Sequence, residues 1–185
     1  MKRKPTALLM IAILMAVMST AEKCDKEDAR SKIWKWKNKA GKALVQANKA
    51  WEEFYEIRSD EIGDKIIADN PGLSDEEKLA LFEEALADLD EHNERYQTAK
   101  VSTALGLNAL EEALDAWGEA TEPDKPTWQK AVNATRSILR GLEDILAILI
   151  RCKVEVPNAL DTAIAGGANL LDIISPDPDP DEVTP

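Results

Sequence analysis

Apolar residues recur at steps of three and four along most of the chain, the signature of helices with one buried face. From Ala29 the series Ile33, Trp36, Ala40, Leu44, Ala47, Trp51 and Phe54 lies on one side of a long first helix. That helix must end before Asn70-Pro71-Gly72, because proline restricts the residue before it and glycine favours a turn. Ser74-Asp75-Glu76-Glu77 then reads as a capping box, in which the Ser74 hydroxyl and the Glu77 carboxylate satisfy amides left open at a helix start. The second helix carries a heptad seam through Leu79, Phe82, Leu86 and Leu89, becomes polar at Asn93, Tyr96, Lys100 and Thr103, and resumes at Leu107, Leu110, Leu114 and Trp117. Val101 and Leu105 offer an alternative seam in its middle, and Gly106 a place to bend.

Glu122-Pro123-Asp124-Lys125-Pro126 interrupts the pattern, with proline near a first helical turn where its missing amide costs little. The third helix bears Trp128, Val132, Ile138, Leu142, Ile145 and Leu149, and its run from Ile145 to Ile150 is apolar on every side, which predicts enclosure by neighbours. After Val154-Glu155-Val156-Pro157 a fourth, shorter helix spans about 158–174, with Leu160, Ile164, Leu171 and Ile174 on one side and Gly166-Gly167 allowing close contact. Short connections make successive helices antiparallel neighbours. The expected fold is all-α: an elongated antiparallel bundle of three long helices, with the fourth covering an end or groove.

The ends read differently. Lys2-Arg3-Lys4, an uncharged run to Ala21 and the small residues Ser19-Thr20-Ala21 follow the order of a secretory signal peptide. As a helix, residues 6–21 would reach about 24 Å, short of the roughly 30 Å of a bilayer core, which favours cleavage over the alternative of a retained membrane anchor. Alternating prolines and acids from Pro176 predict a solvated, extended tail. The domains are therefore a signal peptide at 1–21, a helical domain at 22–174 and an acidic tail at 175–185, with the protein exported to a periplasmic or extracellular space.

Export bears on the two cysteines, because an oxidising compartment permits one bridge between Cys24 and Cys152. A plain up-down-up arrangement places them at opposite ends of the bundle, while a disulfide needs Cα atoms within about 7 Å. Pairing inside one chain thus requires the segment before Ser31 to fold back or the second helix to reverse near Gly106.

Little catalytic chemistry is encoded. His92 is the single histidine, which excludes a multi-histidine metal cage and a di-iron carboxylate centre. It sits one turn from Asp88, and two ligands make a weak site. No glycine loop has the spacing to cradle phosphate. Asn133-Ala134-Thr135 fits a glycosylation acceptor. No catalytic, cofactor-binding or metal-ligating residues are assigned, and no enzymatic activity is expected.

Charge is the informative feature. The chain carries a formal −12, and without Lys2, Arg3 and Lys4 its 20 bases face 35 acids, a balance that disfavours nucleic acid as a partner. Yet seven bases and no acid occupy Arg30 to Lys49, whereas Glu52 to Glu91 holds fifteen acids and only Arg58, Lys65 and Lys78. Lys32, Lys35, Lys39, Lys42 and Lys49 share the face opposite the apolar one, and Trp34 projects to one side. Two uses compete for these lysines: pairing with Glu111, Glu112 and Asp115 across an antiparallel second helix, or contact with an anionic envelope surface or a protein partner, with Trp34 in the interface. The expected function is that of an exported binding or scaffold protein, with a self-associating coiled coil as the alternative.

Overall fold

The computed structural model describes the backbone of residues 6–119, 123 and 125–174 and, among these, the side chains from Ala29 onward except Glu119. Four helices succeed one another: α1 (Thr6–Asp69), α2 (Asp75–Glu119), α3 (Lys125–Arg151) and α4 (Asn158–Ile174). No strand occurs among the described residues. The protein is an all-α bundle. The expected signal peptide and acidic tail fall outside the described residues, apart from the helical backbone from Thr6.

Cross-helix pairs fix the direction of each helix. Arg30 meets Leu114, Lys37 meets Glu111, Trp51 meets Asn93 and Tyr55 meets Asp90, so α2 descends as α1 ascends. Thr103 lies against Gly141, Gly106 against Ile138 and Trp117 against Trp128, so α3 ascends again. Trp36 meets Ala163 and Gly167, while Phe54 and Ile57 line a groove with Val156 and Pro157, so α4 descends beside α1. Each helix packs on its sequence neighbour, α4 closes on α1, and the diagonal pair α1 and α3 scarcely touch. The fourth helix is thus a full member of an up-down-up-down ring and not a cap on one end.

The core follows the apolar periodicity. Ile33, Trp36, Ala40, Ala47 and Trp51 of α1 are buried, and so are Leu86, Leu89, Tyr96, Thr103, Leu110, Leu114 and Trp117 of α2. Val101 and Leu105 are more than half exposed, so the first seam prevails and α2 runs unbroken through Gly106. The polar middle is accommodated locally: Trp51 Nε1 donates to Asn93 Oδ1 at 2.9 Å, and the Trp51 and Tyr96 rings stack at 4.8 Å. The enclosure expected for 145–150 does not form, since Ile150 is 60% exposed and Ala147 is exposed. In a ring, α3 has neighbours on its inner flanks only, and its back faces water.

Glycines set the closest approaches. A methyl on Gly141 would overlap Thr103 Oγ1 and lie 3.3 Å from the Ala99 carbonyl oxygen, and one on Gly106 would lie 2.8 Å from Ile138 Cγ1. These absences let α2 and α3 pack closely. Gly167 does the same for α4, where a methyl would lie 2.6 Å from Trp36 Cζ2. Trp36 Nε1 donates to the Ala163 carbonyl at 2.7 Å, which gives the buried indole its one required partner.

The helix ends obey local rules. Glu77 accepts from the Ser74 amide at 2.9 Å and from its hydroxyl at 2.8 Å, which holds this carboxyl below its usual range. At its far end, α3 finishes with paired bonds from Val154 N to Leu149 O and from Lys153 N to Ile150 O, with Lys153 at φ 59°. This termination favours glycine at the left-handed position.

Past the four-helix section, α1 and α2 continue as a bare hairpin. Phe54 and Ile57 are the last residues of α1 beside the link between α3 and α4; from Arg58 to Ala85 no residue is buried, and Phe82 packs on Gly63 as part of a two-helix contact. The turn at Pro71-Gly72 crowns it, with Leu73 N bonded to Asn70 O.

Two consequences are measurable by urea unfolding. A methyl on Gly41 would meet nothing within 4 Å, so Gly41→Ala should stabilise by roughly 0.5–1 kcal/mol through helix propensity, whereas Gly141→Ala should destabilise by about 1–3 kcal/mol through overpacking. Independently, Lys153→Gly should stabilise by about 0.5–1 kcal/mol by relieving the left-handed backbone. A loss of stability there would mean that the Lys153 side chain outweighs its backbone conformation.

Candidate functional site

The seven bases from Arg30 to Lys49 divide into those that hold the bundle and those that face water. Arg30 donates from Nε and Nη2 to the Leu114 carbonyl at 3.2 and 3.1 Å, capping no helix but tying α1 to α2. Lys37 is largely covered and pairs with Glu111 at 2.8 Å. Its ammonium also lies 4.8 Å from the Trp34 ring centre. Of the acids that an antiparallel α2 could offer, Glu111 is the one that pairs with this segment. Lys32 is exposed and engaged with another group.

Lys35, Lys39 and Lys42 are exposed and form no ion pair among the described residues. Their spacing of four and three residues places them in one row on the side of α1 away from the core. Trp34 lies elsewhere. At 38% exposure it sits on the flank toward α2, under Lys37, roughly a third of a turn from the Lys35–Lys39–Lys42 row. The structure therefore brings the three lysines together and sets the tryptophan apart from them. The physical reason is helix geometry: at about 100° per residue, position 34 falls on a different side of α1 from positions 35, 39 and 42.

The lysine row does not stop at Lys42. Lys49 lies two turns on from Lys42, and Glu53, Glu56, Asp60 and Asp64 continue the row from it at steps of three and four; all are exposed. Sequence reading separates a basic start from an acidic tip but does not join them into one face. The signal that joins them is the same three-and-four spacing, carried by charged residues and not by apolar ones.

His92 is 9% exposed, with Nε2 3.9 Å from Asp88 Oδ1 and Nδ1 buried without a hydrogen-bond partner. It borders a groove of about 600 Å³ between α2 and α3, whose rim mixes Arg95 and Arg151 with Glu94 and Asp144. Arg95 is already paired with Glu91 at 2.6 Å, and no cluster of three or more metal-ligating side chains exists among the described residues. His92 is thus a nearly buried residue at the edge of this groove, with Asp88 its one ion-pair partner among the described residues.

Two other sequence features take on definite roles. Thr135 of the glycosylation acceptor is fully buried and donates to the Ala131 carbonyl at 2.8 Å, while Asn133 is exposed and accepts from Gln129. The acceptor is thus folded into α3 with its threonine inside the core. Cys152 is half-buried at the end of α3, where burial and the charge of Asp88 push its thiol up. Its expected pairing with Cys24 falls on a side chain outside the described residues. Among the described residues no helix is long and apolar enough to cross a membrane.

No protein-family model matches this chain, and neither the curated proteins nor the solved structures contain a match. Function must therefore be argued from the surface itself.

Both tyrosines lie in the contact between α1 and α2, and both resist ionisation. Tyr55 donates to Asp90 Oδ1 at 2.5 Å, and this bond to a carboxylate raises its pKa; Tyr96, fully buried, is raised well above the ordinary 10.0 by burial and then by the charge of Glu52. A phenol whose folded pKa exceeds its unfolded value stabilises the fold fully below that unfolded value and loses the contribution as pH rises through the folded one. Alkaline titration should therefore show stability falling above about pH 10, with tyrosinate appearing together with loss of helix. Phenolate formation near the ordinary value with the helices intact would contradict this burial.

Proposed function

We propose that the protein is exported and works by contact, as a helical binding or scaffold protein that attaches to an anionic envelope surface through the Lys35, Lys39 and Lys42 row. The observation that carries the reading is the exposure of three aligned ammonium groups, without ion pairs among the described residues, on a long helix whose opposite face is locked into the core. Unpaired exposed charge of one sign costs little to bring near an oppositely charged surface, because no internal bridge must first be broken. The amino-terminal order of basic, apolar and small residues supports export. Trp34 contributes only where the surface curves toward α2, since Lys37 covers its ring.

The attraction is electrostatic and should weaken as salt shortens its range. Co-sedimentation with liposomes tests it. Binding is expected to vesicles rich in anionic lipid and not to neutral ones, to fall with added salt, and to drop at least tenfold in the Lys35→Gln, Lys39→Gln, Lys42→Gln triple variant. Equal binding to neutral and anionic vesicles, or an undiminished triple variant, would refute attachment through this row.

A further inference from the structure

The outer face of α1 carries a charge sequence that is complementary to its own reverse. Reading outward along one row, Lys35, Lys39, Lys42 and Lys49 are followed by Glu53, Glu56, Asp60 and Asp64. All eight are exposed, and none forms an ion pair among the described residues. The sign changes once, at the level of residue 51. From Lys35 to Asp64 the row extends about 43 Å along the helix.

We propose that this face is an interface with a second copy of the chain, formed by two α1 helices lying antiparallel about a two-fold axis at the level of residue 51. In that register Lys49 of each copy lies opposite Glu53 of the other, Lys42 opposite Asp60, and Lys39 beside Asp64. Each pair occurs twice, as a two-fold interface requires. A parallel, in-register alignment would instead set lysine on lysine and carboxylate on carboxylate, so the charges select the antiparallel orientation in the way that flanking charges select partners in coiled coils. Val45 and Ile57, at 69% and 53% exposure, border the row on either side and would lose exposed area on pairing.

Occupants other than a second copy fit less well. An anionic surface satisfies the lysine half and is repelled by the acidic half, whereas a second α1 satisfies both. Most of the heptad leucines that could have mediated self-association are consumed inside the molecule, with Leu86, Leu89, Leu110 and Leu114 buried and Leu79 alone exposed, on the two-helix hairpin. Self-association must therefore use an outer face, and this is the face whose charges match. Exposed ion pairs are individually weak and screened, so the dimer is reversible and favoured by low salt. It covers the lysines used for attachment to an anionic surface, and the two states exclude each other on that face.

Zero-length carbodiimide coupling of the full chain, followed by peptide mapping, tests the register directly. Lys42 and Asp60 of one chain are about 27 Å apart along α1, so an amide bond between them can form only between copies. The expected links are Lys42 to Asp60 and Lys39 to Asp64, lost when salt is raised to about 0.5 M. Sedimentation at low salt should show a monomer–dimer equilibrium. It should be abolished in Lys35→Glu, Lys39→Glu, Lys42→Glu and in Glu56→Lys, Asp60→Lys, Asp64→Lys, and restored as a one-to-one complex when these two variants are mixed. A strict monomer at low salt, growth beyond a dimer, links that join Lys42 to other acids, or association unaffected by either reversal would each overturn the proposal. A monomer that still binds anionic vesicles would overturn pairing and leave surface attachment standing, and a dimer without vesicle binding would support pairing alone.

Discussion

The four-helix ring closes because one large side chain finds room and a partner on the backbone of α4. Trp36 projects from α1 into the space left by Gly167 and donates its indole N–H to the Ala163 carbonyl. A helix of 17 residues with two adjacent glycines in its middle draws its stability from packing and not from its own propensity, so it would gain little by lying on the outside of a three-helix assembly. Packed on Trp36 it buries Leu160, Ala163, Leu170 and Ile174, and α3 gains a second neighbour. The same device, a missing side chain on one helix admitting a bulky one from the next, recurs where Gly106 admits Ile138. Tight helix contact here rests on what is absent as much as on what is present.

Much of this was legible in the sequence. The apolar spacing marked the buried face of α1, and the Ser74–Glu77 pair marked the start of α2, because both depend on residues within one turn of each other. The end of α1 before Pro71-Gly72 is equally local. What spacing could not convey was the number of neighbours each helix would have. The run from Ile145 to Ile150 reads as enclosed, yet ring geometry leaves Ile150 in water. Gly166-Gly167 announced a close contact without naming Trp36, since that partner lies well over a hundred positions away along the chain. Val101 and Leu105 lost to the polar seam because Asn93 and Tyr96 find specific company on Trp51, an advantage invisible to a heptad count.

The surface was legible in a more limited way. Composition located a basic segment and an acidic one, but Arg30 and Lys37 turned out to be structural, and only contacts across helices reveal that division. Trp34, a third of a turn from the lysine row, lies under Lys37 on the flank toward α2. Counting charges overstates a contact surface whenever some of those charges already serve the fold. Lys35, Lys39, Lys42 and Lys49 are what remains when Arg30, Lys37 and Lys32 are set aside.

The bare hairpin beyond Ile57 has a mechanical consequence. Its two helical arms are held only by each other, so opening there demands far less free energy than opening the ring, and amide protons near Pro71-Gly72 should exchange with solvent long before those around Leu110. A protease that nicked this turn would yield two polypeptides, one bringing α1 and the other the remaining three helices to the same intact core, and the fragments would stay together until the ring itself melted.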